Sequence, residues 1–73
     1  MPSLPLLSGR EVARLFENLG WEVVRQRGSH IILVKEGQRA TLSVPDHKVG
    51  RGTLRSLIRA AGLTVEAFMD GLK

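Results

Sequence analysis

Two histidines, His30 and His47, are the side chains of this chain best suited to moving protons near neutral pH. Each follows a turn and stands beside positive charge. His30 closes the run Arg25-Gln26-Arg27-Gly28-Ser29-His30, and His47 lies in Pro45-Asp46-His47-Lys48. An imidazole beside guanidinium groups suits cleavage of an RNA phosphodiester without a metal. The RNA brings its own nucleophile, the 2′-OH, so the protein has only to move a proton and to offset charge building on phosphorus. Histidine does the first, at about 10²–10⁴-fold, and Arg or Lys the second. DNA lacks the 2′-OH and is spared. From type and spacing alone, the plainer account of His30, a surface residue set by hairpin geometry, has the stronger claim, because most lone histidines have no catalytic role. That holds more firmly for His47, which reads as a loop residue bonded to nearby backbone.

Other chemistries find fewer residues. The chain has no Cys, which removes disulfides, thiolate metal sites and a Cys nucleophile. The two histidines are seventeen positions apart, with Asp46 the only carboxylate close to either; a two-metal nuclease needs several converging carboxylates. No G-x-S-x-G surrounds Ser29. Gly50-Arg51-Gly52-Thr53 enters a helix, where phosphate is attracted. It lacks the P-loop pattern, and a tight turn accounts for its glycines.

The elements that must position these groups follow from local signals. Ser8-Gly9-Arg10-Glu11 is a capping box, flanked by Leu7 and Val12 at the staple positions. Val12, Leu15, Phe16 and Leu19 then form one helical stripe, and Gly20 supplies the stop. Residues 21–27 and 30–35 read as β-rich runs around the turn Gly28-Ser29, followed by a hairpin turn at 36–39. Residues 40–44 alternate apolar and polar, and Pro45 ends that strand. A polar loop is expected over 46–52. Leu54, Leu57, Ile58 and Ala61 mark a second helix closed by Gly62, and Thr64 caps a third carrying Val65, Phe68, Met69 and Leu72. The expected fold is α+β: an α-β-β-β-α order with a three-stranded antiparallel sheet, helices on one face and a short extra C-terminal helix. That arrangement resembles the double-stranded-RNA-binding domain. If Ile31 and Leu33 face the helices, alternation puts His30, Ile32 and Val34 on the open face, with Thr41 and Ser43.

The 73 residues are read as one domain, with 42% hydrophobic residues and no low-complexity tract. Residues 1–7 lack the basic start and long apolar run of a signal peptide. No segment approaches the ~18–20 apolar residues of a membrane span. A cytoplasmic chain without membrane contact is expected. Eleven Lys and Arg against seven Asp and Glu give a net charge of +4, and eight of the eleven are Arg. The pI near 10.8 exceeds the ~9 that marks nucleic-acid-binding domains. Basic charge that merely keeps a small protein soluble explains this equally well.

Several motifs run in a recognisable order from Ser8 to Leu72. They are Gly9-Arg10-Glu11-Val12, Leu19-Gly20-Trp21, Arg25-Gln26-Arg27-Gly28-Ser29-His30, Val44-Pro45-Asp46-His47, Gly52-Thr53-Leu54-Arg55-Ser56-Leu57 and Ala61-Gly62-Leu63. In these the chain resembles the HicA (YcfA-like) family of small toxins from bacterial and archaeal toxin–antitoxin pairs. The resemblance implies a double-stranded-RNA-binding-like fold and an mRNA interferase working without metal or small-molecule cofactor. It also implies His30, in Gly-Ser-His, as the catalytic histidine, and a HicB-type antitoxin that covers the active face. It moves the balance for His30 to the catalytic reading. A role for His47 carries over less firmly.

The expected phosphate-binding set is Arg25, Arg27, Ser29 and Lys35 in the hairpin, with His47, Lys48 and Arg51 from the loop. Ile32 and Val34, apolar and on the open face, are the expected partner contacts. Two other readings use the same residues. A non-catalytic RNA-binding module predicts salt-sensitive binding and no cleaved product. A pure protein-interaction domain predicts no affinity for RNA.

Overall fold

In the computed structural model, which describes residues 6–70, Ser8 and Glu11 cap each other at the start of the first helix. The Glu11 N–H donates to Ser8 Oγ at 3.2 Å, and the Ser8 N–H donates to Glu11 Oε1 at 3.0 Å. The elements are β1 (Leu7–Ser8), α1 (Gly9–Asn18), β2 (Glu22–Arg27), β3 (His30–Val34), β4 (Leu42–Pro45), β5 (Lys48–Val49), α2 (Arg51–Ala60) and α3 (Val65–Asp70). The expected α+β order is present. Most of the expected lead-in, and Leu72 of the last apolar stripe, lie outside the described residues.

β2, β3 and β4 form an antiparallel sheet in that order. Strand β3 alternates strictly. Ile31 and Leu33 are buried, His30 is exposed, and Ile32 and Val34 lie between, on the other face. Leu42 and Val44 of β4 are buried on the same side as Ile31 and Leu33. Against them pack Val12, Leu15 and Phe16 of α1, Leu54, Leu57 and Ile58 of α2, and Phe68 of α3, in one core. All three aromatic residues of the chain belong to it. Phe16 meets Trp21 edge-on at 6.3 Å between ring centroids and Phe68 at 5.1 Å, separations at which aromatic pairs attract. The helices therefore cover one face of the sheet and leave the other open.

Two features depart from the sequence reading. The segment expected as a loop over 46–52 contains β5, which pairs antiparallel with β1 through Leu7↔Val49 and Ser8↔Lys48. Two residues are too few to show alternation, so the pairing has no local signature; burial of Leu7 and Val49 draws it together. The second departure is a β-bulge in β2 between Val23 and Arg25. Val24 is the extra residue, opposite no partner, and it is 48% exposed. Its visible mark in the sequence is the doubled Val23-Val24, which breaks alternation.

Candidate functional site

The bulge decides which way the β2 cations face. Val23 pairs with buried Leu33, on the helix side. Counting on by twos from Val23 would put Arg25 and Arg27 on that side too. Because Val24 is extra, the register beyond it shifts by one, so Arg25 pairs with Ile32 and Arg27 with His30. Directly opposite residues of an antiparallel pair share a face. Both guanidiniums therefore join His30 on the open face, and all six residues of β2 are exposed.

His30 is the first residue of β3, immediately after a two-residue turn closed by Arg27↔His30. Gly28 has φ +57, and among the described residues no non-glycine has positive φ, which matches a II′ hairpin turn with glycine at its first central position. On its other side His30 pairs with Pro45. Its imidazole is exposed and hydrogen-bonds to none of the described residues. Ser43, opposite Ile32, adds a hydroxyl to the same face.

A second segment closes on this end of the sheet. The Asp46 N–H donates to the Ser29 carbonyl at 2.6 Å, and the Gly9 N–H donates to the His47 carbonyl at 2.7 Å. Gly9 is buried, and a β-carbon there would meet the Pro45 carbonyl oxygen, with the Pro45 carbonyl carbon at 2.8 Å and Asp46 Cα at 2.9 Å. Only glycine lets α1 start this close to the loop. His47 places Nδ1 3.1 Å from the Lys48 carbonyl. A carbonyl only accepts, so Nδ1 carries the proton. Lys48 and Arg51 are exposed further along, in β5 and at the start of α2.

Lys35, grouped from the sequence with the phosphate-binding cations, is placed elsewhere. Its Nζ donates to the Leu19 carbonyl at 3.2 Å, at the C-terminal end of α1, and its stem lies against Gly20. A cation there meets the negative end of the helix dipole. It is five positions beyond His30, about 16 Å along an extended strand. Exposed Val23 and Val24 were not singled out from the sequence, since a bulge depends on the partner strand.

Among the described residues no group of three His, Asp or Glu side chains is placed to hold a metal ion, and no helix is long and apolar enough to cross a membrane. A family model describing the HicA toxin of bacterial toxin–antitoxin systems matches residues 9–63. This chain belongs to the HicA toxin family. The match spans α1, the sheet, β5 and α2, and so contains His30, its hairpin and the 45–48 segment. A solved structure described as a toxin–antitoxin complex from Streptococcus pneumoniae is similar at a TM-score of 0.70 and 30% sequence identity. That similarity covers 77% of this chain and 97% of the other. No curated protein matches the chain. The three-stranded sheet with helices on one face agrees with the double-stranded-RNA-binding-like architecture expected for a HicA toxin.

Proposed function

We propose that this HicA-family chain is a metal-independent endoribonuclease that cleaves mRNA and so inhibits translation in the cytoplasm. The observation that carries the reading is the shared face of three residues: an exposed imidazole, His30, directly opposite Arg27, with Arg25 two positions along. A ribose-phosphate strand can lie across an uncovered sheet face in a way that a buried histidine would forbid.

In the reaction the substrate's 2′-OH attacks the adjacent phosphorus, forming the 2′-O–P bond and breaking the P–O5′ bond. One proton leaves the 2′-oxygen and one arrives at the departing 5′-oxygen. His30 moves a proton at one of these two oxygens, which general acid–base catalysis makes worth about 10²–10⁴-fold. Arg25 and Arg27 offset the charge that grows on the phosphoryl oxygens. Ser29 in the hairpin turn and His47, Lys48 and Arg51 in the segment after Pro45, all exposed, extend the phosphate-binding surface in this reading.

Ile32 and Val34, half-buried on the open face, are suited to contact a protein that covers it. A HicB-type antitoxin is the proposed partner, supported by family membership and by a similar chain solved in a toxin–antitoxin complex.

The test is cleavage of a labelled transcript by the purified chain. Wild-type protein should produce fragments in the presence of EDTA. It should leave a transcript intact where the 2′-OH at the cut position is replaced by hydrogen. His30→Ala should cut nothing and arrest no growth while keeping its circular dichroism spectrum; cleavage by that variant would remove His30 from the reaction.

A further inference from the structure

On the reading of His30 just given, we infer that Gln26 and Asp46 form a clamp that positions its imidazole for the reaction. His30 stands one residue beyond a two-residue turn at the end of a hairpin, a place where backbone rocks readily. The clamp spans that turn. Gln26 Nε2 lies 3.2 Å from the Gly28 carbonyl and 2.8 Å from Asp46 Oδ2. Both neighbours are acceptors, so the amide must present its nitrogen to them. Asp46 holds the turn a second time, through its backbone N–H on the Ser29 carbonyl at 2.6 Å. Its other carboxylate oxygen, Oδ1, is 3.5 Å from Arg10 Nε, which ties the clamp to α1. Gly28 and Ser29 on one side and Pro45 and Asp46 on the other thus bracket His30. Arg27 and Pro45 pair with it, while Gln26 and Asp46 lock their neighbours.

Neither residue takes part in the proposed proton transfer, so both are positioning residues. Their hydrogen bonds are exposed and contribute modestly to stability. Placement of a reacting group is far less forgiving, since a shift of about 1 Å can cost on the order of 10²-fold. Loss of the clamp should therefore be felt in turnover before it is felt in folding.

The experiment measures kcat, KM and the thermal midpoint for transcript cleavage. Gln26→Ala should lower kcat about ten-fold, with KM within about two-fold of wild type and a midpoint shifted by only a few degrees. Asp46→Asn keeps an oxygen to accept from Gln26 and should retain most of the activity that Asp46→Ala loses. Combining Gln26→Ala with Asp46→Ala should cost less than the product of the two single losses, because the bond between the two side chains is lost in each of them. Wild-type turnover by Gln26→Ala, a loss confined to KM, or a loss that tracks the midpoint would overturn the clamp. Should Gln26→Ala not fold, equal cleavage by Asp46→Asn and Asp46→Ala overturns it instead. His30→Ala run alongside separates the two ideas: an active His30→Ala removes His30 from the reaction and with it the premise of the clamp, whereas an inactive one beside a fully active Gln26→Ala defeats only the clamp.

Discussion

Arg27 and His30 are the closing pair of the β2–β3 hairpin, directly opposite each other and on the sheet face that no helix covers. A guanidinium and an imidazole that share a face in this way can address neighbouring atoms of one phosphodiester. The shared face of the β2 cations and His30 depends on the bulge at Val24, three residues before Arg27. A strand without that extra residue, counted from Val23, would turn Arg25 and Arg27 toward the helices.

That facing makes the cations separable by salt. In a His30→Ala background, Arg25→Ala and Arg27→Ala should each weaken binding of single-stranded RNA and lower the slope of log affinity against log salt by about 0.7. Lys35→Ala should leave the slope unchanged, because its ammonium is held by the Leu19 carbonyl. It should cost instead about 0.3–1 kcal/mol of stability at the end of α1. Filter binding over a salt series decides between them; an equal drop in slope for Lys35→Ala would return that residue to the RNA surface.

Two glycines should respond to alanine with opposite signs. Gly9→Ala drives a methyl into the Pro45 carbonyl, backbone that cannot swing aside. Over-packing of this kind costs about 1–3 kcal/mol, and each kcal/mol lowers Tm by roughly 4–8 °C in a domain of this size. Gly52, inside α2, has open space where a β-carbon would go and no positive φ. Gly52→Ala should raise stability by about 0.4–1 kcal/mol, chiefly by restricting the unfolded chain. Thermal melts of the two variants check both, and a stable Gly9→Ala would contradict the close approach of α1 to the 45–47 segment.

The capping box should show in acid. The Ser8 backbone N–H, then the Ser8 hydroxyl, and more weakly the Arg14 charge, hold the Glu11 carboxyl below the ordinary glutamate range. A carboxyl depressed in the folded state stabilises the fold above its unfolded value, and that stabilisation disappears as pH falls through the folded value. Glu11→Gln should therefore be less stable than wild type at neutral pH and should converge with it below the carboxylate range. Melting temperatures across that interval, at constant ionic strength, give the comparison; parallel curves would mean that Glu11 contributes nothing through its charge.

Much of the fold was legible because its signals are local. Ser8 and Glu11 are three residues apart, and their reciprocal bonds formed as the spacing indicated. Thr64 does likewise for α3, accepting from the Ala67 N–H at 3.1 Å. On β3 a period of two placed Ile31 and Leu33 in the core and His30 in solvent, since successive side chains of a strand must alternate. The site was legible in its members but not in its assembly. Arg25, Arg27 and His30 could be named from their types and order, yet their common face could not be derived from β2, where alternation fails at Val23-Val24.

Amino-acid order alone determined the helices, the strand that bears the imidazole, the basic balance and the motifs shared with HicA toxins, because periodicity, capping and composition act over a few residues. Tertiary structure decided what depends on surfaces meeting across the chain. It turned the β2 guanidiniums outward, drew Lys35 to the end of α1, made β5 from an expected loop, and brought Asp46 to Gln26 across twenty positions. Those outcomes depend on which groups lose water and pair when distant segments pack, and no spacing within a segment encodes that.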